Sequence, residues 1–268
     1  MIVSRRPEGL VLVRQVDHQA QCAAMADAWG GLEFARIPRW DQLATAAGCH
    51  DEGWRTEDEQ PTINRRGFPI DFPEIDRARH VALFGRGIDH AETIGPEVGL
   101  LVSMHGAGLY RHRLGLDGPE PDEHHPAVVD FLAREDSRQE RLREALGNDL
   151  ELAGWTWDAY RLLQAFDSLS LYLVWRGLGS GAPGALLQTP RALGDPGVDI
   201  ACESLGRFTA SCEPFPFEGD EVELPVSARA IPDRPYRDAD DLRRALEDGQ
   251  DVTLECVVCR RPGGGSRR

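Results

Sequence analysis

The chain has 268 residues, with 45 acidic and 30 basic side chains and a formal net charge of −15. This acidic balance excludes nucleic acid and anionic membrane surfaces as expected partners, because their phosphate groups are repelled. All of the basic residues are arginine, which excludes Schiff-base catalysis and the lysine of a phosphate-binding loop. No apolar run is long enough to cross a membrane, and the first residues lack a secretion signal. We therefore expect a soluble, cytoplasmic protein.

Hydrophobic periodicity predicts helices over most of the first two thirds of the chain. The first, alanine-rich helix ends at a glycine pair, and the second begins at a proline in its first turn. Residues 56–76 are rich in proline, charge and turn formers, which predicts an ordered loop placed to roof a site. The predicted helices cover residues 16–29, 38–54, 77–93, 96–109, 126–146 and 155–177.

The composition changes at residue 177. Short alternating runs such as FTASCEPFPF, EVELPVSA and VTLECVVC then predict strands. The sequence therefore predicts a mainly α fold: a helical core over residues 1–177, a small β-rich appendage over 178–260 and a disordered tail over 261–268. The appendage is a candidate lid, homodimer interface or closure of the bundle.

The six cysteines lack the dense spacing of a secreted disulfide scaffold, so we expect free thiols. The single C-x-x-C motif, Cys256 to Cys259, has no second pair, and a zinc ribbon is not expected there.

The adjacent pair His50 and Asp51 lies near the end of an apolar predicted helix. A buried aspartate without a partner costs several kcal/mol, so something must neutralise it. A divalent metal ion does this when imidazole nitrogen and carboxylate oxygen reach it together. The alternative is structural: Asp51 caps a helix or pairs with an arginine, and His50 is a hydrogen-bonded core residue.

Other histidines and one aspartate fall inside apolar or amphipathic predicted helices: His18, His80, His105 and Asp167. For His18 the alternative is a polar residue at a helix start, and for His105 it is a bond to a backbone carbonyl. His90 shares a predicted helix with His80, and we favour His80 as the residue that faces the site. The histidines at positions 112, 124 and 125 lie in a polar segment and receive no role.

The order His, His-Asp, His, His, Asp over residues 10–177 resembles the HD-domain superfamily of metal-dependent phosphohydrolases and its di-iron oxygenase relatives. More closely, the segments QVDHQAQCAAMADAWG, HDEGW, GFPIDF, GLLVSMHGAGLY and DSLSLYL resemble an uncharacterised family catalogued as domain of unknown function 3891. That second resemblance covers nearly the whole chain and implies no activity. The first implies an HD-domain-like helical bundle.

The superfamily resemblance implies a ligand set. His18, His50, Asp51 and Asp167 would hold one ion, and His80 and His105 would add a second, with Asp51 as the bridge. Histidine and carboxylate ligands suit iron, manganese, cobalt and zinc alike, so the sequence does not choose the metal or decide between one ion and two.

Three functions stay open. The first is hydrolysis of a small phosphoester by a metal-activated water, with Asp51 and His50 as the catalytic residues. The second is a di-iron oxygenase that acts on a small polar substrate, and the third is a metal-binding protein without catalysis. A small anionic or polar molecule is the expected partner.

Supporting roles are predicted around this site. Arginine suits the binding of an anionic substrate because its guanidinium group forms paired hydrogen bonds with phosphate or carboxylate. The candidate arginines are Arg65, Arg66, Arg79 and Arg111. The candidates for orienting the metal ligands are Asp17, Glu52, Ser103 and Gln164.

Overall fold

The computed structural model describes residues 1–7, 9–111, 125–147, 150–175 and 183–261. Their helices are α1 (Gln15–Ala28), α2 (Trp40–Ala47), α3 (Arg55–Glu59), α4 (Arg77–Ile94), α5 (Pro96–Tyr110), α6 (Pro126–Ala145), α7 (Leu150–Val174) and α8 (Ala239–Asp248). Their strands are β1 (Ile2–Arg6), β2 (Gly9–Val13), β3 (Gly184–Thr189), β4 (Val198–Gly206), β5 (Thr209–Glu213), β6 (Glu221–Glu223), β7 (Val226–Ile231), β8 (Gln250–Leu254) and β9 (Val257–Arg260).

The strands of the described residues form two sheets. One has the order β1-β2-β7-β8 and the other the order β3-β4-β5-β9-β6. Most neighbouring strands are antiparallel, and β5 and β9 run parallel. Long-range pairing builds the first sheet, because Leu10 of β2 lies opposite Ile231 of β7.

The predicted fold class, a mainly α HD-domain-like bundle with a small β appendage, is wrong. The fold is mixed α/β, because two multi-stranded sheets accompany the helices. The hairpin of β1 and β2 precedes the first helix and pairs with β7, so one sheet contains strands from both sides of the predicted boundary at residue 177. That boundary itself stays a prediction, and the predicted tail lies outside the described residues from position 262 onward.

The predicted helices are confirmed as local structure, although α7 begins five residues before its predicted start. The helix predicted over residues 38–54 ends at Ala47, so His50 and Asp51 lie in the turn that follows it and not inside the helix. Local signals explain the helices: the Asp76 side chain accepts a hydrogen bond from the Arg79 amide at the start of α4. Proline begins both α5 and α6. Helix α5 is buried on nearly all sides. In the part of the chain that the structure describes, no helix combines the length and apolar character needed to cross a bilayer.

A close approach of backbones fixes the turn that follows α2. Gly53 lies so near α4 that a Cβ atom built on it would be 1.9 Å from the Leu83 carbonyl oxygen. Only glycine fits such a contact. The backbone at Gly53 therefore presses against α4, and His50 and Asp51, in the turn between α2 and Gly53, point into the helical core, where both are buried.

Candidate metal centre

Four polar side chains from three parts of the chain meet in the core. His18 comes from α1, His50 and Asp51 from the turn after α2, and Asp167 from α7. Their exposed fractions are 0%, 1%, 6% and 4%. His18 Nε2 lies 2.9 Å from Asp167 Oδ1 and 3.9 Å from Asp51 Oδ2, and His50 Nε2 lies 3.6 Å from Asp51 Oδ2 and 3.7 Å from Asp167 Oδ1. We call these four residues the buried cluster.

A chain of hydrogen bonds fixes the tautomer of His18. The Leu224 carbonyl can only accept, so Gln21 Nε2 donates to it at 2.6 Å and Gln21 Oε1 faces Ser170. Ser170 then uses its one proton on Gln21 Oε1, also at 2.6 Å. The Ser170 oxygen must therefore accept the proton of His18 Nδ1, which lies 2.6 Å away. In the neutral imidazole, Nε2 is left without a proton and faces the carboxylates.

The same conclusion holds for His50. Its Nδ1 donates to the Ala47 carbonyl at 2.8 Å, and a carbonyl oxygen cannot donate in return. His50 Nε2 is buried and has no hydrogen-bond partner among the described residues. A buried polar atom without a partner costs free energy comparable to a lost hydrogen bond, so a missing group is indicated at this point.

The spacing of these atoms suits a metal ion. Ligands bound at about 2.1 Å lie about 3.0 Å apart at right angles and about 3.4 Å apart at tetrahedral angles. The distances between imidazole nitrogens and carboxylate oxygens in the buried cluster run from 2.9 to 3.9 Å. Two imidazole lone pairs and two carboxylates form an electron-rich set that requires a cation. The residues present therefore fit a divalent ion.

The electrostatics of the metal-free cluster agree with that requirement. Burial lowers the pKa of His50, but Asp51 and Asp167 outweigh it and raise that pKa to about 9. Burial raises the pKa of Asp51. Burial also acts to raise the pKa of Asp167, yet the neighbouring imidazoles of His18 and His50 hold it well below its usual range. Without a metal ion, a proton on His50 thus supplies the positive charge that the carboxylates need.

His105 lies beside the buried cluster. Its ring centroid is 4.9 Å from that of His50, and ligand atoms of His50, Asp51 and His105 lie within 4.8 Å of one another. Gln164 Nε2 is 3.0 Å from His105 Nδ1, while Gln164 Oε1 has no partner among the described residues. If this amide is turned by 180°, Oε1 accepts a hydrogen bond from the protonated Nδ1 of His105. His105 Nε2 is then unprotonated and able to bind an ion.

His80 occupies a different environment. Its Nδ1 shares a short hydrogen bond with the Tyr110 hydroxyl, and its ring packs edge-on against Trp54 and Phe84. Burial lowers the pKa of His80 to about 3. The structure buries His80 and exposes His90, but it places His80 among aromatic rings, outside the groups whose ligand atoms converge.

Cys22 is a neighbour that the sequence did not indicate. Ligand atoms of His18, Cys22 and His50 also lie within 4.8 Å of one another. Burial raises the pKa of the Cys22 thiol well above its ordinary value, which favours a protonated thiol. Its position one helical turn after His18 is the signal that would have found it.

The residues expected to orient the ligands divide into two groups. Gln164 contacts His105, and Glu52 accepts from Gln19, whose other amide atom accepts from the Asp51 backbone amide. Asp17 pairs instead with Arg14, and Ser103 donates to Glu135. Sequence reasoning missed Ser170, Gln19 and Gln21, although Ser170 stands three residues after Asp167 on the same helical face.

The predicted anion-binding arginines do not enter the buried cluster. Arg79 pairs with Glu57 and Arg111 with Asp136, and the arginines at positions 65 and 66 are exposed in a loop. His125 caps the start of α6, whereas positions 112 and 124 lie outside the described residues.

Comparison with known proteins identifies a family. A family model described as protein of unknown function (DUF3891) matches residues 1–233, a span that contains the whole buried cluster and the strands up to β7. No curated protein and no solved structure matches the chain.

Proposed function

The chain belongs to the family described as protein of unknown function (DUF3891), and on that premise we propose that its buried cluster binds one divalent metal ion for the hydrolysis of a small phosphoester. One observation carries the proposal: the Nε2 atoms of His18 and His50 lie within 4 Å of the carboxylates of Asp51 and Asp167, and all four side chains are buried. Histidine and carboxylate donors together suit zinc, iron, manganese and cobalt.

A bound divalent ion supplies Lewis acidity, lowering the pKa of water toward neutrality and polarising a phosphoryl oxygen. The protein supplies the geometry. Ser170 and the Ala47 carbonyl hold the imidazoles of His18 and His50 by their outer nitrogens, and Gln19 holds the backbone of Asp51. Such outer bonds fix ring orientation and raise the basicity of the ligands.

One ion is proposed, with His105 as the adjacent candidate ligand. A second ion would need a contribution from His80, whose Nδ1 is bonded to Tyr110. The close burial of all four ligands favours a second candidate function, a structural metal site without turnover. It would keep the same ligands and hold the helices of the core together.

The first experiment measures metal content of the full chain purified without chelator. We expect about one transition-metal ion per chain, and its loss in His50→Ala and Asp167→Ala variants. His90→Ala is the matched control because His90 is an exposed histidine on α4, and it should keep the metal. If no metal above background binds even after reconstitution, the proposal fails, and the four residues are polar side chains of the core with a structural role only.

Turnover separates the two candidate functions. Metal-loaded protein is assayed with aryl phosphate monoesters and diesters, before and after chelation. Hydrolysis that disappears with the chelator and in the Asp51→Asn variant supports the hydrolase. A tightly bound ion that raises the melting temperature without any hydrolysis supports the structural site.

A further inference from the structure

Two thiols face each other across neighbouring strands, far from the metal ligands in sequence. Cys202 of β4 lies directly opposite Cys212 of β5 in the antiparallel register. Their sulfur atoms are 3.3 Å apart and share a hydrogen bond. Both side chains are buried, with exposed fractions of 1% and 0%. The contact therefore belongs to the core of the second sheet.

We infer that Cys202 and Cys212 are a modification site, a thiol pair that hydrogen peroxide converts into a reversible disulfide across β4 and β5. Backbone geometry permits the bond. Directly opposed residues in antiparallel strands have Cα atoms about 4.5 or about 5.5 Å apart, and disulfides span about 4.4–6.8 Å. No strand has to shift to bring the sulfurs together.

The reaction balances without a further reagent. Peroxide oxidises one thiol to a sulfenic acid as its O–O bond breaks and one water leaves. The sulfur of the second thiol then displaces the hydroxyl group as a second water, and the S–S bond forms. Two electrons pass from the two sulfurs to the peroxide, and the two thiol protons leave in the water.

The environment sets the pace of this reaction. The hydrogen bond to Cys202, followed by burial, raises the pKa of the Cys212 thiol well above its ordinary value. A thiol that stays protonated reacts slowly. The disulfide should therefore build up over a long exposure, and its burial should protect it from further oxidation.

The test uses the full chain with Cys259→Ser, which removes the half-buried thiol of β9. The protein is treated with peroxide, unfolded, alkylated and mapped by mass spectrometry without reduction. We expect the chain to lose two hydrogens and two alkylation sites, with Cys202 and Cys212 peptides joined until dithiothreitol is added. The buried single thiols Cys22 and Cys49 are internal controls and should remain alkylated.

A variant exposes the intermediate. When Cys202→Ser is added to the Cys259→Ser chain, the sulfenic acid of Cys212 has no partner thiol, so dimedone should label it. In the Cys259→Ser chain with Cys202 present, the disulfide forms and dimedone should not label Cys212. Full alkylation of both cysteines after peroxide treatment would overturn the inference, as would separate sulfinic acids or a crosslink to any other cysteine. Peptide mapping of the Cys259→Ser chain tests the inference even if the Cys202→Ser variant does not fold.

Discussion

Ser170→Ala breaks the bond chain that orients His18, and its effect can be worked out in two parts. The substitution leaves the His18 Nδ1 proton and Gln21 Oε1 buried without partners, since Ser170 serves both. Each unsatisfied buried group costs about 1–3 kcal/mol. Allowing for some relaxation, we expect the metal-free protein to lose about 2–4 kcal/mol of its free energy of unfolding.

Metal affinity should fall as well, because loss of a bond that orients a ligand costs about 10–100-fold in affinity. That corresponds to about 1.4–2.7 kcal/mol. Urea unfolding in chelator measures the first part, and metal titration against a competing chelator measures the second. Ser137→Ala is the control, because Ser137 is exposed on α6 and donates only to the Ala133 carbonyl within its own helix. A Ser170→Ala protein that binds metal as tightly as the parent chain would refute the reasoning.

Three further perturbations follow from the structure. Gly53→Ala forces a Cβ atom against the Leu83 carbonyl and should lower the free energy of unfolding, measured in urea, by about 3 kcal/mol. The control Gly95→Ala, with nothing within 4 Å of its Cβ, should lower it far less. Equal losses in the two variants would show that the turn has room for a Cβ atom. Phe217→Ala empties a fully buried position and should cost about 3–5 kcal/mol, seen as a lower melting temperature; an unchanged value would contradict this packing. The pKa of His50 is raised to about 9 by Asp51 and Asp167. Protonation of His50 therefore stabilises the metal-free fold fully at pH values below the ordinary histidine pKa of about 6.5, and this stabilisation is lost as the pH rises through 9. Metal displaces that proton, so affinity should rise over the same interval; a metal dissociation constant that is flat between pH 6.5 and 9 would exclude this coupling.

The sequence predicted the helices well because their signals are local. Asp76 caps α4, and the prolines at 96 and 126 begin the next two helices. Each signal acts within one turn of its own residue, so no knowledge of the tertiary fold was needed.

The sheets were missed in part because their pairing is not local. The apolar run Leu10 to Val13 is too short to distinguish a strand from the edge of a helix. Its partner, β7, begins at residue 226, and no periodicity in either segment reveals the other. The strand-like runs after residue 177 were recognised as strands, but their assignment to two different sheets depends on register.

The candidate site was partly accessible to sequence reasoning. An adjacent His50 and Asp51 in an apolar segment and an aspartate, Asp167, inside an apolar helix are both unusual. Together they indicate a shared buried site. Gln21 and the Leu224 carbonyl were out of reach, because a backbone acceptor about two hundred positions away leaves no trace in composition or spacing. His80 was predicted as a metal ligand from its position in an amphipathic helix. That position does not reveal that its Nδ1 is bonded to the Tyr110 hydroxyl.

The pairing of β2 with β7 also bears on how the chain folds. Contacts between residues far apart in sequence form slowly, because a long loop must close before the strands gain from meeting. During synthesis the hairpin of β1 and β2 emerges about two hundred residues before its partner strand β7. Until then β2 presents an unpaired apolar edge, which is a template for aggregation. Chaperone binding to nascent chains should therefore persist until β7 has been released from the ribosome.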